Sequence, residues 1–187
     1  MVTKFSGEKK PRPLDRERLE QLALGYVARF AVSSAKLAAY LTRKLRERGW
    51  EGAGEPPVTQ LVERCIAAGY VDDAAYARGK DAGLLARGYG RRRIDQALVT
   101  AGIGEGLRQS LRGRESAERR AALVMAKKRR FGPFGASEPD RPLREKQLAA
   151  MLRAGHPLDS ARELVNASTI AAAEHWAAQA SEDDTCD

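Results

Sequence analysis

Histidine is scarce in this chain, cysteine is scarce and unpatterned, and no long hydrophobic run occurs. The two histidines are His156 and His175, and the two cysteines are Cys65 and Cys186. Neither histidine has a carboxylate or thiol at metal-ligand spacing, so no metal site is expected. Cys65 sits among Val62, Ile66 and Ala68 and reads as a core thiol. Two cysteines this far apart exclude a disulfide framework and suit a reducing compartment. No stretch approaches the ~20 apolar residues that span a bilayer. The amino terminus, Met1 to Leu14, is basic and bears prolines without an apolar h-region, which excludes a secretory signal. These absences predict a cytoplasmic protein that does not engage membranes. A Gly-x-x-x-x-Gly-Lys-Ser/Thr loop is missing too. Gly102-Ile103-Gly104-Glu105-Gly106 lacks the preceding strand that would make it a dinucleotide motif. No catalytic residue and no cofactor is expected, and the chain reads as a non-enzyme.

Positive charge is absent from one end only. No Lys or Arg follows Arg162, whereas Glu174, Glu182, Asp183, Asp184 and Asp187 all lie beyond position 168. The whole chain carries 33 basic and 25 acidic groups, so residues 1–168 have a net charge of +13 and the tail −5. A body this basic predicts a polyanionic partner, most simply nucleic acid or an acidic protein surface.

What the chain does have is a glycine repeated at a fixed interval. Gly49, Gly102 and Gly155 are spaced 53 residues apart. Each ends a helical phrase: Leu41, Leu45, Gly49-Trp50; Ile94, Leu98, Gly102-Ile103; Gln147, Met151, Gly155-His156. A glycine one step past an amphipathic helix suits the left-handed C′ position, with Leu45, Leu98 and Met151 meeting Trp50, Ile103 and His156 across a Schellman cap. A long period means a structural unit repeated three times.

The pattern between these glycines is helical, and period-two alternation of β-branched residues is missing. Leu19, Leu22, Tyr26 and Phe30 form one stripe, and Ser33 or Ser34 caps the next helix. Asp72 or Asp73 caps a helix holding Tyr76, Leu84 and Leu85, which Arg87-Gly88-Tyr89-Gly90 breaks. The expectation is an all-α chain of three tandem three-helix repeats in an elongated, curved array. Its parts are a disordered basic arm (1–14), repeats at 15–70, 71–113 and 114–168, and an acidic tail (169–187), helical or disordered.

Residues 87–130 concentrate the charge, with thirteen Lys or Arg against four acids. Arg91-Arg92-Arg93 opens a helix, where positive charge opposes the dipole, so a use for it is expected. Three consecutive positions span roughly 200° of arc, which sends Arg91 to the core edge beside Ile94 and Leu98 for packing or a local ion pair. Arg92 and Arg93 are left for a partner. Lys127-Lys128-Arg129-Arg130 ends a helix, where the dipole welcomes it. Phe131 and Phe134 beside it read as core, with stacking on bases the alternative. The candidate partner-binding residues are Arg87, Arg92, Arg93, Lys127, Lys128, Arg129 and Arg130.

Two phrases, Gly69-Tyr70-Val71-Asp72-Asp73-Ala74-Ala75-Tyr76-Ala77 and Arg87-Gly88-Tyr89-Gly90-Arg91-Arg92-Arg93-Ile94-Asp95-Gln96-Ala97-Leu98, resemble those of the RecX family. Ser34 to Gly49 fits that family's Ser-x-x-x-Leu…Leu…Gly pattern, and the resemblance covers roughly residues 16–168. It implies tandem three-helix repeats and a regulator lying in the groove of the RecA–DNA filament, where it restrains ATPase, strand-exchange and coprotease activities. The implied partners are RecA, its filament with DNA, and DNA directly, bound by a monomer. A direct DNA-binding protein built from helix-turn-helix-like units is the alternative reading. The third repeat departs from the family pattern at Ala154, where a basic residue is usual, and at His156, where an aromatic is.

Overall fold

The computed structural model describes residues 12–112 and 115–183, the last three as backbone only. Eleven of the fourteen residues of the expected basic arm lie outside these, as do the last four of the acidic tail. Among the described residues there are ten α-helices and no strand. They are α1 (Arg16–Val27), α2 (Ser34–Arg48), α3 (Val58–Ala67), α4 (Asp73–Ala86), α5 (Arg91–Thr100), α6 (Glu105–Ser110), α7 (Glu115–Arg129), α8 (Arg141–Arg153), α9 (Leu158–Val165) and α10 (Ile170–Asp183). A 3₁₀ turn, Gly132–Phe134, links α7 to α8. The chain is all-α. It divides into two compact units, Met1–Asp73 and Ala74–Asp187.

In the first unit, α1 to α3 enclose Leu14, Leu19, Leu37, Leu41, Leu61, Cys65 and Val71. Asp15 caps α1 through the Arg18 N–H at 2.8 Å, and the Ser33 side chain caps α2. Burial pushes the Cys65 thiol above its ordinary pKa, which keeps it protonated and inert. Two expectations fail here. Phe30 does not continue the α1 stripe: the helix ends at Val27 and Phe30 is 54% exposed on the following turn. Gly49 has φ +81° but ψ 169°, so no Schellman cap forms. The reason is tertiary. Leu14 pairs its backbone with Gly49 and Glu51 at 2.9 Å each, pulling Trp50 into an isolated parallel bridge.

The paired aspartates hold a further surprise. Asp73 is the first residue of α4, yet its carboxylate accepts from the Ser34 N–H at 2.7 Å and the Ser34 hydroxyl at 2.6 Å. It therefore satisfies an orphan donor at the start of α2 rather than of its own helix.

The second unit holds two clusters. Ala77, Leu84, Ile94, Leu98, Ala101 and Ile103 pack among α4, α5 and α6. Ala122, Met125, Ala126, Met151, Ala161 and Leu164 pack among α7, α8 and α9, with Ala173 of α10 added. The acidic tail is thus helical from Ile170 and builds part of a core. Its Trp176 ring lies 4.9 Å under the Arg119 guanidinium, which also donates to the Trp176 carbonyl at 3.1 Å. Phe131 and Phe134 are half-buried against the same cluster, so their rings belong to the core.

Candidate functional site

Within the second unit the candidate site is organised by a backbone junction. Gly102 and Gly155 both close Schellman caps, with Ile103 N–H on Leu98 O at 3.0 Å and His156 N–H on Met151 O at 3.2 Å. Gly155 does more. Its turn abuts the start of α5, where Gly90 N–H donates to Ala154 O at 3.0 Å and Arg92 N–H to Gly155 O at 3.2 Å. A Cβ on Gly90 would lie 2.4 Å from the Gly155 carbonyl, so only glycine fits. His156 is buried and its Nε2 lies 3.0 Å from Gly88 O. The carbonyl accepts only, so Nε2 carries a proton and donates it to Gly88. Burial pushes the imidazole below its ordinary 6.5, and the hydrogen bond to Gly88 partly opposes this.

This junction explains the arginines at the α5 N-terminus. The carbonyl end of α8 meets the N–H end of α5, so the negative pole of one helix sits against the positive pole of the other. Arg91, Arg92 and Arg93 therefore stand beside carbonyls as well as beside an unfavourable dipole. Arg91 turns inward. It is 12% exposed, pairs with Asp81, faces Asp95 at 3.5 Å and donates to Leu111 O at 3.0 Å. Nearby, burial pushes the Glu118 carboxyl above its usual range; Arg91 opposes the shift, and Asp81, Asp95 and Glu115 add to it. Arg91 is the counter-ion of an acidic pocket and is unavailable to a partner.

The remaining cations face outward, and the junction draws them together. Arg87, Tyr89, Lys128 and Arg129 line a depression of about 130 Å³ whose other walls are Gly88, Met125 and Ala154. Arg92, Arg93 and Arg153 line a second, of about 280 Å³, against Gly155. The two share the Ala154–Gly155 turn as their boundary. Among the described residues, none of Arg87, Arg92, Arg93, Lys128, Arg129, Arg130 and Arg153 forms an ion pair. Arg153 escaped the sequence reading because it ends an ordinary helix, with no cationic neighbour in the chain. Its partners come from α5. Lys127 differs from the rest: Glu174 of α10 holds its ammonium at 2.6 Å. Arg130 differs in its backbone, being the one non-glycine with positive φ among the described residues, at 56°. Among the described residues no group of His, Cys, Asp and Glu could hold a metal ion, and no helix is long and apolar enough to cross a membrane.

Fold and surface define a class: an all-α protein of successive three-helix groups that presents unpaired cations on exposed helix ends. No family model matches the chain. The regulatory protein RecX of Myxococcus xanthus is 31% identical over 88% of this chain and 93% of its own length. The RecX protein of Agrobacterium fabrum is 28% identical over 74% of this chain and 76% of its own. The crystal structure of RecX from Lactobacillus salivarius shares the fold, with a TM-score of 0.63 at 16% identity over 80% of this chain and 93% of that one. The chain belongs to the RecX family, whose members among these relatives are named regulatory proteins.

Proposed function

We propose that this protein is a cytoplasmic, monomeric, non-enzymatic regulator that binds RecA and the RecA–DNA filament and restrains its recombinase, ATPase and coprotease activities. Membership of the RecX family supports a RecA-related partner, and one observation supports the contact surface: the cluster of unpaired cations on both sides of the Ala154–Gly155 turn. Arg87, Arg92, Arg93, Lys128, Arg129, Arg130 and Arg153 form that surface, with Lys127 joining once released from Glu174. We divide the chain as an arm at 1–14, three repeats at 15–70, 71–113 and 114–168, and a tail at 169–187. A second reading, direct competition for DNA, is favoured by the same surface, because unpaired cations suit phosphates whether or not RecA covers them. RecA-dependent ATP hydrolysis on single-stranded DNA, titrated with this protein, tests the proposal. A regulator inhibits preformed filaments below stoichiometry; a competitor acts only when it meets naked DNA first; no inhibition in either order refutes both.

A further inference from the structure

Tyr89 stands apart from the other aromatics of its unit. The rings of Phe131, Phe134 and Trp176 pack against a core, whereas Tyr89 is 36% exposed at the α4–α5 turn. Its setting is cationic: Arg87, Lys128 and Arg129 surround the depression that it lines, and Met125 and Gly88 close the apolar wall. The turn is closely packed: Tyr89 N–H donates to Leu84 O at 3.1 Å, and a Cβ on Gly88 would lie 2.9 Å from the Met125 backbone, so the turn after α4 meets α7 backbone to backbone. The cavity, at about 130 Å³, is below the range that takes a whole small-molecule ligand. One flat ring fits, with its charged neighbours left to meet the groups on either side of it. An aromatic face ringed by unpaired cations is the arrangement that binds unpaired nucleotides, the ring stacking on a base and the cations meeting the flanking phosphates. Duplex bases are already stacked on each other and cannot enter.

We propose that Tyr89 is a stacking platform for one unpaired base, and that this face takes single-stranded nucleic acid in preference to duplex. The proposal rests on the reading of the cationic surface as a nucleic-acid contact.

The test is anisotropy binding of the full chain to three probes: an oligothymidylate, an abasic strand with as many phosphates, and a duplex. Tyr89→Ala should bind oligothymidylate about tenfold more weakly and leave duplex and abasic affinities unchanged. Tyr89→Phe should match the wild type. The wild type itself should prefer oligothymidylate to the abasic strand, a comparison that needs no variant to fold. Equal affinity for those two probes overturns the proposal, as does an equal loss on all three probes or a Tyr89→Phe loss as large as that of Tyr89→Ala. If Tyr89→Ala spares every probe but weakens capture of RecA without DNA, the ring serves a protein surface and the proposal falls. Failure of the underlying reading looks different: joint replacement of Arg87, Lys128 and Arg129 by Gln would then leave all three affinities unchanged.

Discussion

Arg130 and His156 show how single residues in this unit trade stability for position. Arg130 is the C′ residue of α7: its N–H bonds Lys127 O at 3.2 Å and Phe131 N–H bonds Ala126 O at 2.9 Å, the same pair of bonds that glycines close at Gly88, Gly102 and Gly155. A side chain in that conformation costs about 1 kcal/mol. Arg130→Gly should raise the stability of the protein by about that much in urea unfolding, while weakening binding to a polyanion if the guanidinium is used there. A variant no more stable than the wild type shows that the turn is not strained. His156 sets a pH window. Its folded pKa lies below the ordinary 6.5, so above 6.5 the neutral ring is favoured in both states and the junction is at full strength. As pH falls through 6.5 the unfolded chain takes up a proton that the folded ring resists, and stability drops. Melting temperature should therefore decline between pH 7.5 and 5.5, and His156→Gln, which keeps a donor for Gly88, should flatten that decline; parallel curves count against the histidine.

Helices in this protein are joined by backbone as much as by side chains. Gly90 and Gly155 touch where α5 begins and α8 ends, so Gly90→Ala should cost about 3 kcal/mol by overpacking. Gly79→Ala, in the middle of α4 with nothing within 4 Å of the added methyl, should be neutral or better. Equal shifts in denaturation midpoint for the two would contradict the close approach. The 53-residue glycine period made the helix ends legible, because a C′ glycine and its apolar C3 and C″ neighbours are local chemistry. What joined Gly155 to Gly90, and what drew Trp50 away from its cap toward Leu14, was not legible, because each partner lies far along the chain. The tail illustrates the same limit. Its charge was visible, but Ala173 and Ala177 buried on one face and Trp176 under Arg119 depend on α7 being there. Removing α10 would therefore unpack a core, and Glu174→Gln is the cleaner probe. That substitution frees Lys127 without altering packing, since both side chains of the pair are 47% exposed. It should tighten oligonucleotide binding a fewfold at low salt, and the gain should vanish at high salt. Unchanged affinity at low salt would show that Lys127 lies off the contact surface.

Over the molecule as a whole, charge is sorted rather than merely plentiful. Acids within the second unit are drawn to particular cations: Asp81 and Asp95 to Arg91, Glu115 to Arg119, Glu174 to Lys127. Among the cations left without an ion pair, Arg87, Arg92, Arg93, Lys128, Arg129 and Arg153 are drawn together beside the Ala154–Gly155 turn. Most of that set could be read from the runs at 91–93 and 127–130, including the inward turn of Arg91, which follows from helical spacing against Ile94 and Leu98. Arg153 could not, because its neighbours on the surface come from another helix. This sorting gives the function a direct test. Arg92→Glu with Arg93→Glu should leave folding stability within about 0.5 kcal/mol per exposed site. The double variant should lower the salt dependence of nucleic-acid binding by a slope of about two, one for each phosphate that the arginines no longer neutralise. If the surface acts on phosphate, inhibition of RecA-dependent ATP hydrolysis should fall in step with DNA affinity. If DNA binding collapses while preformed filaments are still inhibited, the protein holds RecA itself and these arginines only assist. If a folded variant changes neither, Arg92 and Arg93 are a solvated face, and the binding surface lies with Arg87, Lys128 and Arg129 or elsewhere on the protein.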